Sequence, residues 1–191
     1  MPHPALKPQD LLVACRLALP GGYLLFQKQV AVALGLAPST VFASLQNLRR
    51  AKIVECPGIP EATARRRLLN FLVHGAPVVF PPVKTEVVRG IATGIFSPHF
   101  RGRFAAEKDV PLVWPYPRGR EVGEGLVPLY PSLPLACSRD PALYQLMAAV
   151  DVLRVGRARE KDAAVVYLEE LFKTDEVAED GERSEKSGEA A

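Results

Sequence analysis

Cysteine and histidine are scarce in this chain, and the scarcity closes several classes of function. Cys15, Cys56 and Cys137 are odd in number and far apart, so they form no disulfide framework and read as reduced thiols of a cytoplasmic protein. His3, His74 and His99 stand isolated, and neither HExxH nor CxxC occurs; no metal and no other cofactor is expected. Phosphate-loop and nucleophile signatures are missing as well: there is no GxxxxGKS/T, no GxGxxG and no GxSxG. Gly90 and Gly94 match no phosphate-loop spacing. No catalytic residue is assigned, and the chain is not expected to be an enzyme. A run of about 18 apolar residues is also lacking, which excludes a membrane helix. The opening MPHPALKPQD has no cationic patch leading into an apolar signal core, so export is not expected.

Acidic residues are unevenly withheld. Between Asp10 and Glu55 there is no carboxylate, although five cations lie there. Residues 1–75 hold nine Lys/Arg and three acids, whereas 173–191 hold three bases and seven acids, inside a formal net charge of only +3. A basic half beside an acidic tail suits a nucleic-acid binder, because phosphate neutralisation supplies most non-specific affinity. The plain alternative is a basic surface that serves solubility alone.

What is present is enough apolar material, 48 % over 191 residues, for one sizeable domain or a small domain with an extension. Its clearest pattern lies in FQKQVAVALGLAPSTVFASLQNLRRAKI, residues 26–53. The spacing predicts two short helices joined by a tight turn. Val30, Ala31 and Leu34 face a core in the first, and Gly35 sits where a helix C-terminus needs a left-handed residue. Pro38 falls at a first helical position. Val41, Leu45 and Leu48 make one apolar stripe in the second helix. The opposite face carries small, amide or cationic side chains. Ser39, Thr40, Ala43, Gln46, Asn47 and Arg50 are the candidates to meet base edges in a DNA major groove, since Arg pairs with guanine and Gln or Asn with adenine. Lys28, Arg49 and Lys52 are candidates for phosphate contacts. A solvated face in an ordinary helical bundle is the bland alternative.

This stretch resembles the winged-helix module of MarR-type bacterial transcription regulators. Ala31, Gly35, Leu36, Val41, Leu45 and Leu48 match the family's structural residues, and Lys52-Ile53-Val54 matches the step from recognition helix to first wing strand. The resemblance covers about residues 8–56. It implies a homodimeric, double-stranded-DNA-binding regulator. Ala37 departs from it, standing where Ser usually caps the recognition helix, a loss of about 1 kcal/mol. No short hairpin with a basic tip follows Val54, so no DNA-reading wing is carried over.

Around this unit, residues 8–18 read as a first helix burying Leu11, Leu12, Cys15 and Leu19, broken by Pro20-Gly21-Gly22. Tyr23-Leu24 reads as a short extended step. Residues 53–56 read as a strand, and 61–74 as a helix ended by Gly75 with His74 at its last carbonyls. Arg65, Arg66 and Arg67 on that helix either hold phosphates or pair with acids elsewhere. Residues 77–80 are expected to pair with 53–56 in a wing-like sheet, and 85–96 to be extended. Proline at 98, 111, 115, 117, 128, 131 and 134 forbids long helices. Trp114 reads as an anchor over the core or, alternatively, as part of a peptide-binding site.

Asp140-Pro141 opens a helix over 141–155, and a second follows over 157–172, either as a pair or as one helix kinked at Gly156. Asp151 and Arg154 in this stretch mark a buried polar network or a binding surface, or only ordinary helix pairs.

The expected fold is mainly α with a small β component. It divides into a winged helix-turn-helix unit over 8–80, a Pro-rich extended segment over 81–139, and C-terminal helices over 140–172 for a dimer or protein partner. A disordered acidic tail over 173–191 ends it. The leading function is a sequence-specific DNA-binding regulator; the alternative is an antitoxin-like or adaptor protein holding a partner through 140–172.

Overall fold

A computed structural model describes residues 5–104 and 109–173. The fold is mainly helical with one small three-stranded sheet. Helix α1 (Pro8–Ala18) is buried from Asp10 to Cys15 and again at Leu17 and Ala18. A helix apolar on every side must be covered on every side. Helices α2 (Gln27–Leu34) and α3 (Pro38–Ala51) cover part of it, and α8 (Pro141–Val155) covers more. Between α1 and α2 the chain makes a single 3-10 turn over Gly22–Leu24, not the extended step expected at Tyr23-Leu24. Gly22 packs against the end of α1, where a Cβ would overlap the Leu17 carbonyl, and that contact curls the chain.

The region after α3 differs most from expectation. Helix α4 (Glu61–Asn70) does not end at Gly75. It passes through a π-helical turn, Phe71–Gly75, into α5 (Ala76–Val79). The widened turn absorbs Pro77, which has no N–H to extend an i−4 ladder. Gly75 keeps a right-handed φ of −95° and leaves room for the Phe71 ring. His74 is therefore exposed within a continuing helical run. Residues 77–80 form no strand, and the pairing with 53–56 does not exist. In that stretch the backbone pairs only as the Cys56–Ile59 bridge around Pro57-Gly58.

The sheet is built later in the chain. Strand β1 (Lys84–Ala92) runs antiparallel to β3 (Glu121–Leu126) along its first part and to β2 (Leu112–Pro115) along its last, while β2 and β3 pair in parallel and close the sheet. Helix α6 (Pro98–Phe104) lies between β1 and β2, and α7 (Leu133–Arg139) precedes α8. The proline density does keep helices short here, as expected, but it leaves a defined sheet.

Asp140 caps α8 by accepting the Leu143 N–H at 3.0 Å. Gly156 is extended and separates α8 from α9 (Ala158–Lys173), which packs on α8 and α4 as a distinct helix. The acidic tail beyond Lys173 lies outside the described residues.

Asp151 is the polar hub of the core. Its Oδ2 accepts from Thr93 Oγ1 at 2.8 Å and Trp114 Nε1 at 2.6 Å. Its Oδ1 accepts from Arg154 Nη1 at 2.6 Å. Arg154 Nε in turn donates to the Phe80 carbonyl at 2.8 Å. Burial pushes the Asp151 carboxyl above the usual carboxylate range, and Arg154 with the two other donors opposes that push. The network joins the sheet, α8 and the end of α5, and it makes Trp114, fully buried, a core anchor.

Candidate nucleic-acid interface

Helices α2 and α3 are joined by Gly35-Leu36-Ala37, and the chain direction turns by 110° between them. Gly35 makes the turn possible: its φ is +63°, and Leu36 N–H reaches back to the Ala31 carbonyl at 2.9 Å. Gln27 Nε2 donates to the Pro38 carbonyl at 2.7 Å and ties the two helix starts together. Val30, Ala31, Leu34, Val41 and Leu48 enter the core.

On the outward side of α3, Ser39, Ala43 and Arg50 are exposed and Gln46 is half-buried. They stand at i, i+4, i+7 and i+11, a single stripe. Arg49 is exposed on one flank, and Phe42 beside it is 54 % exposed. Phe42 is absent from the candidates drawn from sequence. Its signal was there, as an aromatic one residue off the apolar stripe. Thr40 is half-buried on the other flank. Asn47 also lies on that flank and does not join the stripe: Nδ2 donates to Asp10 Oδ2 at 3.2 Å and ties α3 to α1.

The cations divide in the same way. Lys28, Arg49, Lys52, Arg66 and Arg67 are exposed. Arg67 Nη1 lies 3.5 Å from the Lys52 carbonyl, which brings the α4 side chain to the C-terminus of α3. Arg65 is the exception. It is 5 % exposed, 2.8 Å from Glu61 Oε1, with its guanidinium 5.9 Å from the Tyr23 ring centroid. It takes the acid-pairing alternative and is not placed to meet phosphates. Burial, with Glu61 adding to it, pushes the Tyr23 phenol up to about 12.

The start of α3 carries no side-chain cap and no acid in its first turn, so the positive end of the helix dipole is left uncompensated. No basic hairpin follows α3; the tight Cys56–Ile59 turn occupies that place.

The C-terminal helices turn most of their large apolar side chains inward. Helix α8 is buried without interruption from Leu146 to Arg154, and α9 spends Ala164, Leu168 and Phe172 on the core. Among the described residues of 140–172, Val166 is the one large apolar side chain left exposed. Burial also pushes the Cys15 and Cys137 thiols well above their ordinary range, so neither is a ready nucleophile. Among the described residues, no three His, Cys, Asp or Glu side chains gather as a metal site requires. No single described helix is long and apolar enough to cross a membrane. No protein-family model, curated protein or solved structure matches the chain.

Proposed function

We propose that this chain is a sequence-specific regulator of transcription that binds double-stranded DNA in the bacterial cytoplasm. In this reading α2 and α3 act as a helix-turn-helix, with α3 in the major groove. One observation carries it: a three-residue turn with a left-handed glycine sets two helices at 110°, within the range such motifs use, and the second helix turns a polar, acid-free stripe outward. Gln46 and Arg50 are the base-reading side chains of that stripe, with Ser39 and Ala43 allowing close approach. Phe42 adds an apolar contact suited to a thymine methyl group. Lys28, Arg49, Lys52, Arg66 and Arg67 hold phosphates and fix the register. Regulation follows from occupancy of an operator and not from a catalysed reaction. A homodimer would offer two copies of α3 to half-sites about one helical turn apart.

The test is selection from a random duplex library, followed by titration of the selected site against competitor DNA. Arg50→Ala is expected to cost about 1–3 kcal/mol on the selected site and little on competitor. Failure to enrich any sequence, or an equal loss on both DNAs, would sink the reading.

A further inference from the structure

A cavity of about 720 Å³ opens between the end of β1, the turn before β3, α6 and the α7–α8 junction. No residue of α2 or α3 lines it, so it is separate from the surface assigned to DNA. Its chemistry is of two kinds. Phe96, Tyr116 and Tyr144 supply aromatic walls, and Arg118 and Arg120 stand at the rim.

The rim is held in place by the backbone beneath it. Tyr116 N–H donates to the Arg89 carbonyl at 3.1 Å, and Gly119 N–H closes the Tyr116-Pro117-Arg118-Gly119 turn onto the Tyr116 carbonyl at 2.9 Å. Arg89 Nη1 donates to the Gly119 carbonyl at 3.3 Å. Gly119 lies so close to β1 that a Cβ there would overlap the Gly90 carbonyl; only glycine lets the turn sit down on the strand. The pinned turn projects Arg118 and Arg120, both exposed and neither engaged in a hydrogen bond or ion pair among the described residues. The third guanidinium, Arg101, is already neutralised by Glu121 at 2.8 Å. Two guanidinia two positions apart, unpaired among the described residues, thus remain for an anion. The Tyr144 hydroxyl is used by the Ala92 carbonyl at 2.6 Å, so this residue offers its ring and not its polar tip.

We propose that this cavity binds a free nucleotide. Its phosphate would lie between Arg118 and Arg120, where guanidinium forks match a dianion in charge and geometry. Its base stacks on the Tyr116 and Tyr144 rings. The volume is in the range of small-ligand sites and admits a mononucleotide. The inference is independent of the DNA-binding reading.

The test is isothermal titration of the full chain with the four common nucleoside 5′-monophosphates, the matching nucleosides, inorganic phosphate and a short 5′-phosphorylated single strand. At least one mononucleotide is expected to bind tighter than about 1 mM, with the nucleoside and phosphate each at least tenfold weaker, because each keeps half of the contacts. Arg118→Ala/Arg120→Ala should weaken the mononucleotide about tenfold or more; both side chains are exposed, and an unchanged thermal melt will show that the variant folds. Tyr116→Ala should weaken the mononucleotide and leave inorganic phosphate unaffected. Absence of mononucleotide binding, equal binding by the double variant, or binding by the single strand alone would overturn the proposal.

Discussion

Ser44 shows what a sequence pattern leaves undecided at the scale of one residue. It is 1 % exposed on the core side of α3, and its hydroxyl has no hydrogen-bond partner among the described residues. A buried hydroxyl without a partner costs more than the methyl that could replace it, and alanine is the better helix former. Ser44→Ala is therefore expected to raise stability by about 1 kcal/mol in urea titration without changing DNA affinity. A loss of stability would mean that the hydroxyl has a partner after all. Asp151 is the opposite case. Removing it strands the Arg154 guanidinium, the Thr93 hydroxyl and the Trp114 N–H together, so Asp151→Ala should cost about 3–5 kcal/mol. The double replacement Asp151→Leu/Arg154→Met should cost clearly less than the single, because no buried charge is left behind. An equal or larger loss in the double variant would show that the network does more than neutralise itself. The sequence named Asp151 and Arg154 as a polar group but could not show whether it was buried, since Thr93 and Trp114 are 58 and 37 positions away. Asn47 and Arg65 were misplaced for a related reason. Helical spacing gives a direction to within a flank, but Asp10, which holds Asn47, and the Tyr23 ring, which lies over Arg65 beside its local partner Glu61, come from other parts of the chain.

Local rules served best for whole elements. Helices α1, α2, α3 and α8 follow from periodicity, a proline at the first position or a glycine at the end, all signals within a few residues. The wing-like sheet failed because strand pairing is not local. β1 finds its partners some 20 to 40 residues further along, and nothing near 53–56 announces that its pairing stops at the Cys56–Ile59 bridge. Gly75 failed as a terminator because it keeps a right-handed φ and makes room for the Phe71 ring, so the helical run continues through a π turn. Lys52, a cation at the step where the recognition helix ends, closes α3 with φ of +56°, the one non-glycine residue in the described chain with positive φ. That conformation strains a side-chain-bearing residue by roughly 1 kcal/mol. Lys52→Gly should thus do two opposite things. Stability should rise by up to about 1 kcal/mol, while the slope of DNA affinity against salt should fall by about 1 as a phosphate contact is lost. Calorimetry and a salt titration read the two effects separately. A variant that loses both stability and affinity would contradict the assignment of Lys52 as a strained, phosphate-facing cap.

At the scale of the molecule, the boundaries drawn at 80 and 140 cut through one continuous core. Buried residues of α1 (Leu12, Cys15), α4 (Leu68), α8 (Leu143, Leu146, Met147) and α9 (Leu168, Phe172) belong to a single cluster. Polar contacts cross the same boundaries: Ser132 Oγ donates to the Leu34 carbonyl at 2.6 Å, and Arg16 pairs with Asp140 at 3.3 Å. Sequence patterning marks which faces are apolar but not which faces meet, so a helical unit and its covering segment look like separate domains. The physical consequence concerns α1. Its burial on nearly all sides needs α8 as well as α2 and α3, and α4 packs on α9. A fragment ending at residue 80 would expose both apolar faces, and so small a unit has little margin against that loss. Residues 1–80 alone are expected to show weak helicity and no cooperative thermal transition by circular dichroism, while the full chain melts in one step. A cooperative transition in the fragment would establish the helical pair as an autonomous module, with the sheet and C-terminal helices as an accessory to it and not as its support.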